Sequence, residues 1–204
     1  MKTRTIAGIA LCSSLALALP ARTARAADDA KPAAAPAAGA APSMPPGPPK
    51  PAPEMKQLDF FLGQWTCSGM SPETPWGPAH STKANVKVAS DLDGFWMSGH
   101  VDEAKTKENS MPIHGVFHWT YDSSAKQFTE LWVDSFGGWS QQSSTGWNGD
   151  SLEMTGEAHG MGPAPTPTRD TFTKKGKNEL QHVGSMQTDG KWTDVIAEDC
   201  VRAH

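Results

Sequence analysis

The chain has 204 residues, with 18 basic and 22 acidic side chains and 37% hydrophobic residues. That is enough for one ordinary domain with a single core. The acidic balance disfavours nucleic acid and anionic membranes as partners, and no apolar run after the first residues approaches the length of a transmembrane helix.

Residues 1–26 read as a signal peptide. Lys2 and Arg4 supply a positive start, Ile6 to Leu19 a mostly apolar run, and Ala24-Arg25-Ala26 the small-x-small cleavage pattern. A lipoprotein reading through Cys12 fits less well, because the preceding Leu11 is large and the apolar run would be cut short. The expected mature chain begins at Ala27 and is periplasmic or secreted. Losing four basic residues leaves 14 against 22 acidic ones, a net charge of −8. Residues 27–53 are mainly Ala, Pro and Gly, a composition that cannot bury enough apolar surface to offset the entropy of ordering. They read as a disordered linker, and residues 54–204 as one domain.

A helical turn is expected over Pro53–Leu62, where Met55, Leu58, Phe61 and Leu62 fall on one side and could plug an open end. Period-two segments follow, separated by turn chemistry. They are Gln64–Ser68, Ser81–Ala89, Phe95–Val101, Ile113–Tyr121, Gln127–Asp134, Trp139–Thr145, Ser151–His159, Asp170–Lys175, Glu179–Gln187 and Trp192–Arg202. Asn148-Gly149 and Asp189-Gly190 suit tight hairpins, since these residues tolerate positive φ. Gly160-Met161-Gly162 runs into Pro163, Pro165 and Pro167 and reads as an irregular loop. Ten short strands with mostly short links predict an all-β, up-and-down antiparallel barrel, because parallel strands would need long crossovers. Cys67 and Cys200 alone remain after the leader and lie near opposite ends of the domain. In an oxidising compartment they are expected to form one disulfide that joins the first strand to the last.

Four spaced motifs carry a resemblance. Phe60-Phe61-Leu62-Gly63-Gln64-Trp65 contains a Gly-x-Trp similar to that of lipocalin-like (calycin-like) barrels. Together with Leu92-Asp93-Gly94-Phe95-Trp96, Asp134-Ser135-Phe136-Gly137-Gly138-Trp139 and Gly146-Trp147-Asn148-Gly149-Asp150, it resembles an uncharacterised bacterial family of exported lipocalin-like β-barrels of unknown function. The resemblance implies the fold and no activity. It also implies that Trp65 packs across the barrel floor with a late arginine stacked on it. If Cys67 faces Cys200, Trp65 faces Arg202, so both are expected to be structural.

Candidate chemistry is sparse. His114 and His118 alternate with Ile113, Gly115, Phe117 and Trp119, and on a strand they stand about 13 Å apart, too far to share a zinc. They read as outward histidines. His182 shares its face with Leu180, Gly184 and Met186 and is expected to point inward. An inward histidine could ligate haem iron, as in nitrobindin-like barrels. There the ligand comes from the final strand, however, and Trp192–Arg202 holds no histidine. The alternative is a core histidine hydrogen-bonded to Asp194 or Glu198. Glu130 and Asp134 are read as solvent-facing, with Leu131 and Val133 inside, although both faces of that strand carry apolar residues. No nucleophile elbow, His-Glu-x-x-His, Cys-x-x-Cys or phosphate-cradling loop is present.

The sequence therefore predicts no catalytic residue, no metal and no cofactor. The expectation is an exported barrel that binds a small hydrophobic or aromatic molecule, with His182, Trp119, Trp132, Trp147 and Glu198 as candidate ligand contacts. Three alternatives stand beside it. They are a hydrolase- or isomerase-type enzyme using His182 with a carboxylate, a haem-binding barrel, and a non-catalytic structural or interaction module, the last favoured by a filled barrel with an exposed apolar patch.

Overall fold

Side chains that alternate along a strand choose its inner face, and in this chain that choice closes the sheet on itself. A computed structural model describes residues 47–74 and 77–203; the expected signal peptide and most of the expected linker lie outside the described residues. A 3-10 helix, Pro53–Phe61, leads into β1 (Gly63–Ser71), β2 (His80–Asp91), β3 (Trp96–Glu103), β4 (His114–Asp122), β5 (Gln127–Asp134) and β6 (Trp139–Ser144). There follow β7 (Trp147–Asn148), β8 (Ser151–His159), β9 (Thr166–Gly176), β10 (Glu179–Thr188) and β11 (Lys191–Arg202).

Sequential neighbours pair antiparallel, β1 pairs with β11, and β6 pairs with β8 past the short β7. The result is a closed ten-stranded up-and-down barrel with β7 as one extra strand. All ten expected strands are present. β9 begins earlier than expected and takes in Pro167, which pairs with Glu157; the ladder to β10 starts only at Thr168, so the ring sits where that edge is open. The β10–β11 hairpin turns on Asp189 and Gly190, with φ of 51° and 75°, the left-handed pair that the sequence anticipates.

The β1–β11 register is Trp65 opposite Arg202 and Cys67 opposite Cys200, as expected. The two cysteines are disulfide-bonded with Cα atoms 4.0 Å apart, slightly closer than the usual ~4.4–6.8 Å. They face each other directly on adjacent strands, where antiparallel Cα atoms approach to ~4.5 Å at the narrower pairs. The Arg202 guanidinium lies 4.2 Å from the Trp65 ring centroid and donates to the carbonyls of Leu62 and Phe60. Gly63 makes room for it: its φ is +116°, and a Cβ there would come within 2.9 Å of Arg202 Nη1. The glycine of Gly-x-Trp is thus required twice, for conformation and for space.

The N-terminal segment winds as a 3-10 helix, and its buried residues Met55, Leu58 and Phe61 recur every third position, the period of that helix. They close one end of the barrel. Phe61 meets Trp119 at 4.8 Å, Phe172 at 5.4 Å and Trp147 at 5.5 Å between ring centroids. Trp147 is tied down by its Nε1, which donates to the Gln57 carbonyl at 2.8 Å. This end is a solid aromatic floor.

Along β11 strict alternation would set Asp194 and Glu198 on one face and Val195, Ala197 and Val201 on the other, so acidic and apolar residues compete for the inside. The β10–β11 register shifts between Gly184 and Ser185, opposite Ile196 and Asp194, leaving Val195 as an extra residue. Such a bulge switches faces along the strand. Glu198 and Cys200 are buried, while Asp194 is exposed and accepts from Ser185 Oγ at 2.8 Å.

Candidate functional site

β5 turns the opposite way from its sequence reading. Glu130 is 5% exposed, whereas Leu131 and Val133 are 39% and 52% exposed. Phe128 and Trp132 share Glu130's face, and burying two aromatic rings outweighs burying one leucine and one valine. With a period of two, the glutamate is carried inside with them.

The consequence is a polar belt across the middle of the barrel, above the aromatic floor. Strand pairing sets Trp119 beside Glu130, Glu130 beside Gln142, and His182 beside Glu198. β9 contributes Asp170, which accepts from Gln142 Nε2 and bonds His182 Nε2 at 2.8 Å. The His182 ring lies on Phe172 at 4.8 Å, nearly parallel to it. About a fifth of each side chain in the His182–Asp170 pair is open to solvent (21% and 22%), although protein groups ring the pair. Trp119 Nε1, Glu130 Oε2 and Gln142 Oε1 are buried without a hydrogen-bond partner among the described residues. Buried polar atoms are usually paired, and each such orphan costs about 1–3 kcal/mol.

Two groups titrate far from their ordinary ranges. Burial raises Glu130 to about 8, reinforced by the negative charge of Asp170; the Trp119 indole N–H, which points toward the carboxyl without completing a hydrogen bond, offsets part of the rise. Burial by itself would lower His182, but hydrogen bonding and charge from Asp170 and Glu198 outweigh it and lift the imidazole to about 10. At neutral pH the belt therefore holds a neutral glutamic acid and an imidazolium between two carboxyl groups. An imidazolium with so high a pKa is a poor general base. It is a fixed positive charge.

A pH dependence with a definite sign follows. Both groups bind protons more tightly folded than unfolded, so stability falls as pH rises. Glu130's contribution is full below about 4.5 and lost through about 8; that of His182 is full below 6.5 and lost through about 10. Glu130→Gln, which removes the first of these, should flatten the decline between pH 5 and 8 and melt higher than the native protein at pH 8–9. Thermal melts across pH 5–10 check this, and parallel curves for the two proteins would contradict it.

The structure brings His182 and Glu198 together and separates both from Asp194, which the sequence offered as a partner. The carboxylate bonded to His182 is Asp170, which sequence reasoning missed. Its signal was present: Thr168, Asp170 and Phe172 alternate, but the prolines before them made the segment look like a loop up to Arg169. Trp119 is 1% exposed and belongs to the core. Trp132 is half-buried toward the unplugged end, its ring filling the space over Gly115. Trp147 sits at the floor, with Lys174 Nζ 3.6 Å from its ring centroid. The five candidate contacts are thus spread along the barrel, with His182, Glu198 and Trp119 at or beside the belt.

Residues 50–202 match the family model described as "Protein of unknown function (DUF1579)". The chain belongs to the DUF1579 family. This DUF1579 barrel is similar in structure to that of "Rv2717c from M. tuberculosis", with a TM-score of 0.59 and 16% sequence identity over 76% of this chain and 100% of that one. At that identity the likeness concerns the fold. No functionally curated protein matches the sequence.

Haem does not fit the histidine of this DUF1579 barrel as a proximal ligand. His182 Nε2 is bonded to Asp170, the ring face is covered by Phe172, and β11 supplies no histidine. Cys67, Cys200 and Glu198 form the one group of potential metal ligands found among the described residues, but the two sulfurs are bonded to each other. On the outer face, His114 pairs with Asp102 at 3.1 Å and His118 with Ser98 at 2.8 Å, so the two serve different partners as strand spacing requires. Among the described residues no helix is long and apolar enough to cross a membrane.

Proposed function

We propose that this protein is an exported binding barrel, periplasmic or secreted, for a small molecule with an apolar or aromatic body and a hydrogen-bonding head. One observation carries the reading: an imidazolium–carboxylate pair, partly open to solvent, stands in the barrel's middle beside unpaired polar atoms of Trp119, Glu130 and Gln142. Binding sites combine apolar walls with a few placed polar groups, and this belt over an aromatic floor has that composition. With the floor sealed by Phe61 and Trp147, the route in is the opposite end, where Trp132 and Asp134 stand half-buried. Neutral Glu130 can donate as well as accept, which suits a head carrying a carbonyl or hydroxyl.

The test is tryptophan fluorescence of delipidated protein titrated with fatty acids, retinoids and aromatic probes, alongside mass spectrometry of protein purified from its native host. The expected result is a saturable response weakened at least tenfold by His182→Gln. A flat titration with every probe, and no co-purified molecule, would overturn the proposal.

A further inference from the structure

We propose a second binding site on the outer wall of β5, β6 and β8, specific for a neutral saccharide. A groove of about 290 Å³ runs there, on the other side of the wall from the belt, with the belt residue Gln142 among its lining residues. At one end Trp139 is 45% exposed and stacks on His159, its cross-strand partner, with ring centroids 3.8 Å apart and planes within 3°. The stacking fixes a flat aromatic platform in the open, so little side-chain entropy is left to lose on binding.

The remaining wall is a field of hydrogen-bonding side chains. Gln127 and Thr129 come from β5, Gln141 and Ser143 from β6, and Thr155 and Glu157 from β8. None of the six makes a side-chain hydrogen bond within the described residues, so their donors and acceptors are available to a ligand. Adjacent strands lie about 4.8 Å apart, so these rows present a donor–acceptor grid roughly 10 Å across.

Charge and topology choose the occupant. The groove has no lysine or arginine, and its one carboxylate, Glu157, repels anions, which excludes phosphates, nucleic acid and acidic glycans. β6 is paired on both sides, to β5 and β8, so no strand edge is offered for a peptide to extend. An apolar ligand would leave the amides and hydroxyls unpaired. What remains is a neutral molecule with one flat C–H face for the Trp139 ring and hydroxyls around its rim, which is the chemistry of a sugar ring. The exposed apolar neighbours Leu131, Val133 and Phe136 flank the groove and do not line it.

The experiment is nuclear magnetic resonance titration of the mature protein with chitotetraose, cellotetraose and maltotetraose. Saturable shifts confined to residues 127–129, 139–143 and 155–159 are expected with at least one of them. Trp139→Ala should weaken that binding at least tenfold, Trp139→Phe should recover most of it, and His182→Gln should leave it unchanged. Absence of a saturable response to all three sugars overturns the proposal. So does a response that Trp139→Ala leaves intact, or one reproduced equally by neutral lipid vesicles, which would assign the face to its apolar neighbours instead.

Discussion

Replacing Cys67 and Cys200 together by serine lowers the melting temperature by about 10 °C or more while leaving the barrel's fold unchanged. The bridge spans a sequence separation of 133 residues and joins β1 to β11, the strands at the two ends of the chain's path around the barrel. Cross-linking so long a loop removes conformational freedom from the unfolded chain, and the chain-entropy estimate is roughly 4–5 kcal/mol. A domain of this size loses about 2–4 °C per kcal/mol, and residual structure in the unfolded state trims the total. The fold survives because β1 and β11 remain held by a six-residue register and by Arg202 stacked on Trp65. Matched thermal melts and far-ultraviolet circular dichroism of the two proteins provide the measurement. A decrease of less than about 3 °C, or a changed spectrum, would show that closure does not depend on the bridge in this way.

The second large effect is expected at His182. His182→Ala withdraws the imidazolium and leaves Asp170 and Glu198 without their counter-charge, next to Glu130. Breaking a buried ion pair by removing one partner costs about 3–5 kcal/mol, mostly because the remaining charge is stranded. The pair's 21% and 22% exposure places the expectation at the lower end of that range. Asp170→Asn in the same molecule should recover part of the loss, since a neutral amide no longer needs the cation. Urea unfolding of the two single variants and the double variant tests both statements. A His182→Ala cost below about 1 kcal/mol, or strictly additive effects in the double variant, would remove the pair from the list of interactions that hold the belt together.

These energetic arguments depend on different kinds of information. Strand count, antiparallel order, the Asp189-Gly190 hairpin and the β1–β11 register were legible because each rests on a local rule: alternation, turn residues that tolerate positive φ, or two cysteines in one domain. The family motifs added Trp65 and Arg202, and Gly63 between them shows why the motif needs glycine. Asp170 stood at the first position of its expected strand, with no alternation before it to show its face, because prolines at 163, 165 and 167 mask where β9 begins; a proline is harmless only when the neighbouring strand starts after it. That is a fact about β10, not about β9.

What the sequence determined by itself, then, was the ten strands of the barrel, which follow from patterns written within a few residues of one another, and their closure, which follows from two cysteines 133 residues apart. Which face of β5 turns inward was settled only by tertiary packing. Both faces of that strand are partly apolar, and the larger area of Phe128 and Trp132 prevails only once there is an interior to fill. The same packing takes Glu130 out of water and brings Asp170 against His182 from another strand, and a bulge at Val195 sends Asp194 outward. The polar belt exists because five strands, β5, β6, β9, β10 and β11, bring single polar residues to one level of a closed barrel, and no local pattern in the chain encodes that level.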